Sequence, residues 1–224
     1  MKPNHPRQRC EPSKYRQCGL TVWETLLVVA VLAVLAALFL PGLAKSRMKV
    51  KRIGCTNNLK QIGLSFRLWA GDNNDKFPDQ VSVTNGGTRE LVGSGMAYVH
   101  FLVMSNELST PRILVCPADT NRLAATNWNS FGNGNLGYFV ALNATDRQPQ
   151  MFLSGDDNFK VNGVKPRPGL LELWTNSTIA WLPTRHFYGG NIGLADGSVQ
   201  GFSSARLQLA LVETGMATNR LVVP

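Results

Sequence analysis

The chain has 224 residues, 44% of them hydrophobic, with 23 Lys/Arg against 14 Asp/Glu and a formal charge of +9. That length holds one modest globular domain beside an N-terminal helix and excludes two large domains. Five of the cations and one acid lie in residues 1–19, so beyond Gly19 the balance is 18 against 13, or +5, which weakens the argument for a nucleic-acid partner.

Residues 1–19 are rich in Pro, Arg and Lys and read as a disordered basic leader. From Leu20 to Leu40 the chain is apolar apart from Glu24, and Pro41 follows. As a helix this run measures roughly 31 Å at 1.5 Å per residue, close to the hydrocarbon thickness of a bilayer. An acid in such a run costs about 2.5–3.5 kcal/mol by insertion scales, so Glu24 is expected to have a partner. Hydropathy alone is also satisfied by an uncleaved signal anchor. A cleavable secretory signal fits less well, because the run is long and no small-x-small site precedes Pro41. Cys18 lies before the run rather than after it, which excludes a lipoprotein.

A basic leader ending in Gly19, an apolar residue after it, Glu24 five residues on, an apolar helix and Pro41 together resemble the N-terminus of a type IV prepilin or type II secretion pseudopilin. The resemblance implies cleavage between Gly19 and Leu20 by a membrane aspartic peptidase and N-methylation of Leu20, which stands where that family usually has phenylalanine. The new amine of one subunit would then neutralise Glu24 of a neighbour, since either charge unpaired in a low dielectric is expensive. Lys45, Arg47, Lys49, Lys51 and Arg52 match the leader's five cations in number, so the positive-inside rule is a tie and orientation rests on the resemblance. This second cluster reads as a solvated helix segment in reach of lipid headgroups rather than a nucleic-acid surface.

Past Pro41 and Gly42, expected to loosen the helix, a second helical stretch runs to about Ala70. Cys55, Leu59, Ile62, Phe66 and Trp69 recur on it at spacings of four and three, a stripe for packing on a globular domain. The turn residues of Gly71–Asp75 end it; they lack the glycine and terminal glutamate of an EF-hand. Residues 80–95 read as a loop or short hairpin, and Ala97–Leu108 as a short amphipathic helix in which His100 packs rather than ligates. Ile113–Val115 reads as a short β segment delivering Cys116 before Pro117 stops it. Asn127–Asn135 is a loop; Leu136–Leu142, Met151–Leu153 and Thr178–Leu182 read as strands. Ser203 caps a final helix to Glu213.

Of four cysteines, Cys10 and Cys18 belong to the leader, leaving Cys55 and Cys116. In an exported domain an even pair points to a disulfide, the alternative being two buried thiols. Zinc is disfavoured because neither CxxC nor HxxxH spacing is present.

His186 and Asp196-Gly197 stand in an H-X9-DG arrangement, and the segments Ser105–Leu108, Leu114–Asp119, Leu153–Asn158 and Asn191–Gln200 also resemble prepilin-type proteins of planctomycete and verrucomicrobial type. Asp157 stands where that group often has arginine. Physically, Asp196-Gly197 signals a type I′ hairpin between Asn191–Ala195 and Ser198–Phe202. His186 with Asp196 is a catalytic or metal pair in chemistry, yet without a third ligand or nucleophile the structural role is preferred. The major pseudopilin, which the chain resembles in architecture, binds calcium in its C-terminal loops; Asp156, Asp157 and Asp196 are the candidate oxygen ligands, and no other cofactor is implied.

The expectation is therefore an α+β, pilin-like chain. A long N-terminal transmembrane spine helix packs on a small, mainly antiparallel sheet with irregular loops. Residues 1–19 are the leader, 20–40 the membrane span, 41–70 the exported half of the spine and 71–224 the periplasmic domain. The resemblance implies a non-enzymatic pseudopilin of a type II secretion system. It would be anchored by a single pass in the bacterial inner membrane, and its partners would be a prepilin peptidase, other pseudopilins, an assembly ATPase, a platform protein and membrane lipid. A type IV pilus subunit is the alternative within that class, and a membrane-anchored periplasmic enzyme using His186 and Asp196 the alternative outside it.

Overall fold

The structure, a computed structural model, describes residues 21–145 and 147–224, and the side chains of residues 39–45 and 47 lie outside that description. The leader with Cys10 and Cys18, and the Gly19–Leu20 cleavage position, also lie outside the described residues. The chain divides into two compact units, Met1–Lys45 and Ser46–Pro224.

In the first unit the described residues after Thr21 belong to helix α1, assigned over Val22–Asp72. Thr21 and Glu24 form a capping box. The Thr21 amide and hydroxyl donate to Glu24 Oε2 at 2.8 and 3.0 Å, and the Glu24 amide donates to Thr21 Oγ1 at 3.3 Å. Within the chain, Glu24 is thus hydrogen-bonded to Thr21, three residues away. Pro41 and Gly42 lie within the helical assignment, where a loosening was expected.

The expected transmembrane spine helix, and the pilin-like fold class built on it, must be corrected: among the described residues no helix is long and apolar enough to cross a membrane. What the structure has is an α+β chain with an antiparallel sheet.

The second unit is built on six antiparallel strands in the order β4-β8-β1-β2-β6-β7. In chain order these are β1 (Tyr138–Ala141), β2 (Phe152–Asp156), β4 (Gly169–Trp174), β6 (Gly189–Leu194), β7 (Val199–Ser203) and β8 (Thr218–Val223). A smaller ribbon pairs β3 (Phe159–Val161) with β5 (Ile179–Trp181). The central strand β1 is buried at every position, and its side chains alternate between two cores, as a period of two requires. Tyr138 and Val140 join Cys55, Leu59, Ile62, Phe66 and Trp69 of α1 on one face. Phe139 and Ala141 join Trp181, Phe202, Leu207 and Leu211 on the other. The α1 stripe follows from its spacing, because residues three and four apart share a helix face.

Helix α4 (Ser204–Glu213) begins at Ser203, whose hydroxyl accepts from the Arg206 amide, and turns Leu207, Ala210 and Leu211 inward. Gly190 lies in β6 because Trp181 covers it: a Cβ there would sit 2.4 Å from the indole ring. The β6–β7 connection differs from a type I′ turn, which needs left-handed backbone at both central residues. Only Gly197 is left-handed, with φ +82°, and Leu194 O accepts from Gly197 N while Leu194 N donates to Ser198 O. This is a three-residue loop closed by a left-handed glycine, the alternative hairpin for the same Asp-Gly pair.

Three other expectations change. The segment before Cys116 is a 3-10 turn, Pro111–Leu114, capped by Thr110, because Pro111 suits the first position of a helical turn better than a ladder. The region expected as one helix before Ser109 is two short ones, α2 (Val99–Leu102) and α3 (Ser105–Leu108). Strands β4 and β8, paired from Gly169↔Val223 to Trp174↔Thr218, had no sequence expectation at all.

Asp79, in the 3-10 turn Pro78–Gln80, is 9% exposed. Burial pushes its carboxyl up to about 7, against the pull of its own backbone amide and of Arg220. Since the folded value lies above the unfolded one of about 3.9, the folded chain holds the proton more tightly. The stability contributed is complete below about pH 4 and lost as pH rises through about 7. Asp79→Asn is therefore expected to abolish a loss of about 2–3 kcal/mol that the parent suffers between about pH 5 and pH 8. Urea titrations at both pH values test this, and equal losses in the two chains would contradict it. Burial pushes His100, bonded through Nδ1 to Thr88 Oγ1 at 2.7 Å, down to about 4. It costs stability as pH falls from about 6.5 toward 4, in both chains alike, and so cancels in the comparison.

Candidate functional site

Four stretches far apart in sequence meet at one end of the sheet in the second unit. Helix α1 supplies Cys55, and the segment after the Pro111–Leu114 turn supplies Cys116, Asp119 and Arg122. The end of β2 carries Asp156, followed by Asp157. The loop between β5 and β6 supplies Arg185 and His186, and β6 supplies Asn191. Cys55 and Cys116 are joined by a disulfide with their Cα atoms 5.0 Å apart and 61 residues between them in numbering. His186 Nε2 lies 3.3 Å from Cys116 Sγ and 3.6 Å from Asp156 Oδ2.

Arg185 is the hub of the charges. Its Nη2 reaches Asp119 Oδ2 and Asp157 Oδ1 at 2.6 Å each, and its Nη1 lies 3.7 Å from Asp156 Oδ1 and donates to the Gly137 carbonyl at 3.0 Å. Arg122 closes the outer side, bonding Asp157 Oδ2 at 2.7 Å and Asp119 Oδ2 at 3.4 Å. Asp156 Oδ2 accepts from the Asn191 amide at 2.8 Å and from its Nδ2 at 3.0 Å, while Oδ1 is buried without a hydrogen bond.

Burial sets the electrostatics. It raises the Asp156 carboxyl to about 6, with Arg185 and then Asn191 pulling the other way. It lowers the His186 imidazole to about 4, aided by Arg52 and Arg185, so the ring is neutral near pH 7 and its approach to Asp156 is not an ion pair. For Arg185 burial opposes the charge, yet Asp157, Asp156 and Asp119 outweigh it and hold the guanidinium above its ordinary value. Arg185 also lines two clefts: one of about 330 Å³ with Asp119, Arg122, Asp157 and Lys165, and one of about 340 Å³ with Lys49, Arg52, His186 and Phe187.

Of the residues singled out by sequence, Cys55, Cys116, His186, Asp156 and Asp157 come together here. Asp196 and Gly197 do not. Asp196 Oδ1 accepts from the Ser198 amide at 2.8 Å within the β6–β7 loop, where Gly197 faces the Arg67 side chain and Arg67 Nη2 donates to the Ala195 carbonyl at 2.9 Å. His186 and Asp196 therefore serve different places. The calcium set Asp156, Asp157 and Asp196 is not assembled, and Asp156 and Asp157 already face guanidinium groups. Among the described residues, the metal-capable group is Cys55, Cys116, Asp156 and His186, with ligand atoms all within 4.8 Å of one another.

Asp119, Arg122, Arg185 and Asn191 carried no sequence expectation as site residues. Arg185 adjoins His186, and Asp119 lies three residues past Cys116, but adjacency in sequence does not reveal an ion-pair hub. Glu24 lies in the first unit, in its capping box. No family model matches the chain, no curated protein matches it, and no solved structure matches it.

Proposed function

We propose that the chain is a structural subunit of a pseudopilin-type filament, processed between Gly19 and Leu20 and contributing to export of folded proteins by a type II secretion system. The observation that carries this reading is the N-terminal part of α1. Val22, Trp23, Leu26, Leu27, Val29, Leu32 and Leu38 are each more than half exposed, and together they surround the helix. A helix apolar on all sides is stable in water only when something buries it. Copies of the same helix, stacked side by side, are the occupant that a filament supplies.

The disulfide supports a second unit that works in an oxidising compartment. The processing peptidase, assembly ATPase and platform protein are the partners this reading requires. The capping box keeps the Glu24 carboxylate at the start of α1, and in the filament that carboxylate would neutralise the new amine on Leu20 of an adjoining copy.

Glu24→Gln is the informative change because glutamine also completes a capping box, so the cap survives while the charge is lost. The variant is expected to be processed to N-methylated Leu20, seen by mass spectrometry of the mature N-terminus, while filament yield in cells falls at least tenfold. Retention of the leader beside an active peptidase, or undiminished filaments from the variant, would overturn the reading.

A further inference from the structure

We infer that the reduced chain carries a four-coordinate zinc site made of Cys55, Cys116, Asp156 and His186, a site that formation of the disulfide closes. All four side chains are buried, and they come from α1, the segment after Pro111–Leu114, β2 and the β5–β6 loop. No local spacing motif marks such a site, because each ligand comes from a different segment.

The geometry matches tetrahedral coordination. With zinc–sulfur bonds near 2.3 Å and zinc–nitrogen or zinc–oxygen bonds near 2.0–2.2 Å, the edges of the tetrahedron are about 3.5 Å from sulfur to nitrogen and about 3.4 Å from nitrogen to oxygen. Two of those edges are already formed: Cys116 Sγ to His186 Nε2 at 3.3 Å and His186 Nε2 to Asp156 Oδ2 at 3.6 Å. The other edges, from Cys55 Sγ to His186 and Asp156 and from Cys116 Sγ to Asp156, lie within 4.8 Å, and the sulfurs must separate to about 3.8 Å, which breaking their bond permits.

The carboxylate is held ready for this role: the Asn191 amide and Nδ2 donate to Asp156 Oδ2, the oxygen that faces His186 Nε2, and so fix its orientation. Oδ1 is buried without a hydrogen bond and lies 3.7 Å from Arg185 Nη1. Two thiolates, one carboxylate and a neutral imidazole leave a single negative charge on a zinc complex, and Arg185 stands beside it. The cleft lined by Lys49, Arg52, His186 and Phe187 reaches one of the four ligands, His186.

The interconversion balances. A dithiol gives two electrons and two protons to the Cys55–Cys116 bond and leaves as its own disulfide. Zinc then displaces both thiol protons to solvent. Exchange with a small-molecule disulfide, which takes the two electrons and leaves as two thiols, re-forms the Cys55–Cys116 bond and releases the metal.

Cobalt(II) titration of the full-length chain, reduced with a dithiol without oxygen and freed of metal, tests the site. One equivalent is expected to give the intense visible bands of tetrahedral cobalt with thiolate charge transfer in the near ultraviolet, and zinc to bleach them. The oxidised chain and Cys116→Ser should show neither. His186→Ala and Asp156→Asn should each weaken binding at least tenfold, their oxidised forms giving the parent's near-ultraviolet circular dichroism as a control for folding. If the reduced metal-free chain unfolds, one equivalent of zinc is expected to restore that dichroism. A folded reduced chain without cobalt bands, an octahedral spectrum, affinity unchanged in both variants, or no recovery on adding zinc would each overturn the inference.

Discussion

Arg185→Leu is expected to cost the Ser46–Pro224 unit about 4 kcal/mol. The guanidinium is nearly buried and touches three carboxylates, those of Asp119, Asp156 and Asp157. Removing it leaves Arg122 to serve Asp119 and Asp157, and leaves Asp156 with no cation at all among the described residues. Breaking a buried pair from one side is costly because the stranded charge has no water to return to. Against a total stability of roughly 5–15 kcal/mol, this places the variant close to unfolding. Lysine is not a conservative replacement, since one ammonium cannot reproduce contacts made through two nitrogens of a planar fork. Urea unfolding should show the midpoint moving down with little change in slope. Adding Asp156→Asn should return part of the loss, because the stranded charge is then removed. A drop below about 1 kcal/mol would mean that water already solvates these groups.

Opening the Cys55–Cys116 bond is expected to cost about 4 kcal/mol in the chain-entropy model, for a loop closed across 61 residues. The bond fastens α1 to the segment carrying Asp119 and Arg122, so its loss also loosens the charged cluster from the helix side. The double variant Cys55→Ala, Cys116→Ala, measured with a chelator present, isolates this contribution from any metal. A fall in stability of less than about 1 kcal/mol would show that the two cores hold α1 against the sheet without a crosslink. Because Arg185 and the disulfide meet at one cluster, their losses are expected not to add.

The sequence by itself determined which α1 face is buried, since Cys55, Leu59, Ile62, Phe66 and Trp69 repeat at helical spacing. It determined the central strand around Tyr138–Ala141, the serine cap of α4 and the loop at Asp196-Gly197, because caps, turns and periodicity are local properties. It did not reveal β8, whose partners β1 and β4 lie some 50 to 80 residues earlier, since strand pairing is a long-range choice. It assigned a transmembrane helix where, among the described residues, no helix is long and apolar enough to cross a membrane, and it did not reveal the capping box that Glu24 forms with Thr21.

Only the tertiary structure decided the site. Asp156 and Asp157 stood as candidate calcium ligands as long as Arg185 and Arg122 were unplaced, and Asp196 was read as a turn aspartate with His186 tying the preceding loop to it, nine residues lying between them. Folding puts His186 against Cys116 and leaves Asp196 in a turn. The physical reason is that a buried charge must find its counter-charge wherever the fold supplies one, and no spacing rule encodes a partner that arrives from another segment of the chain.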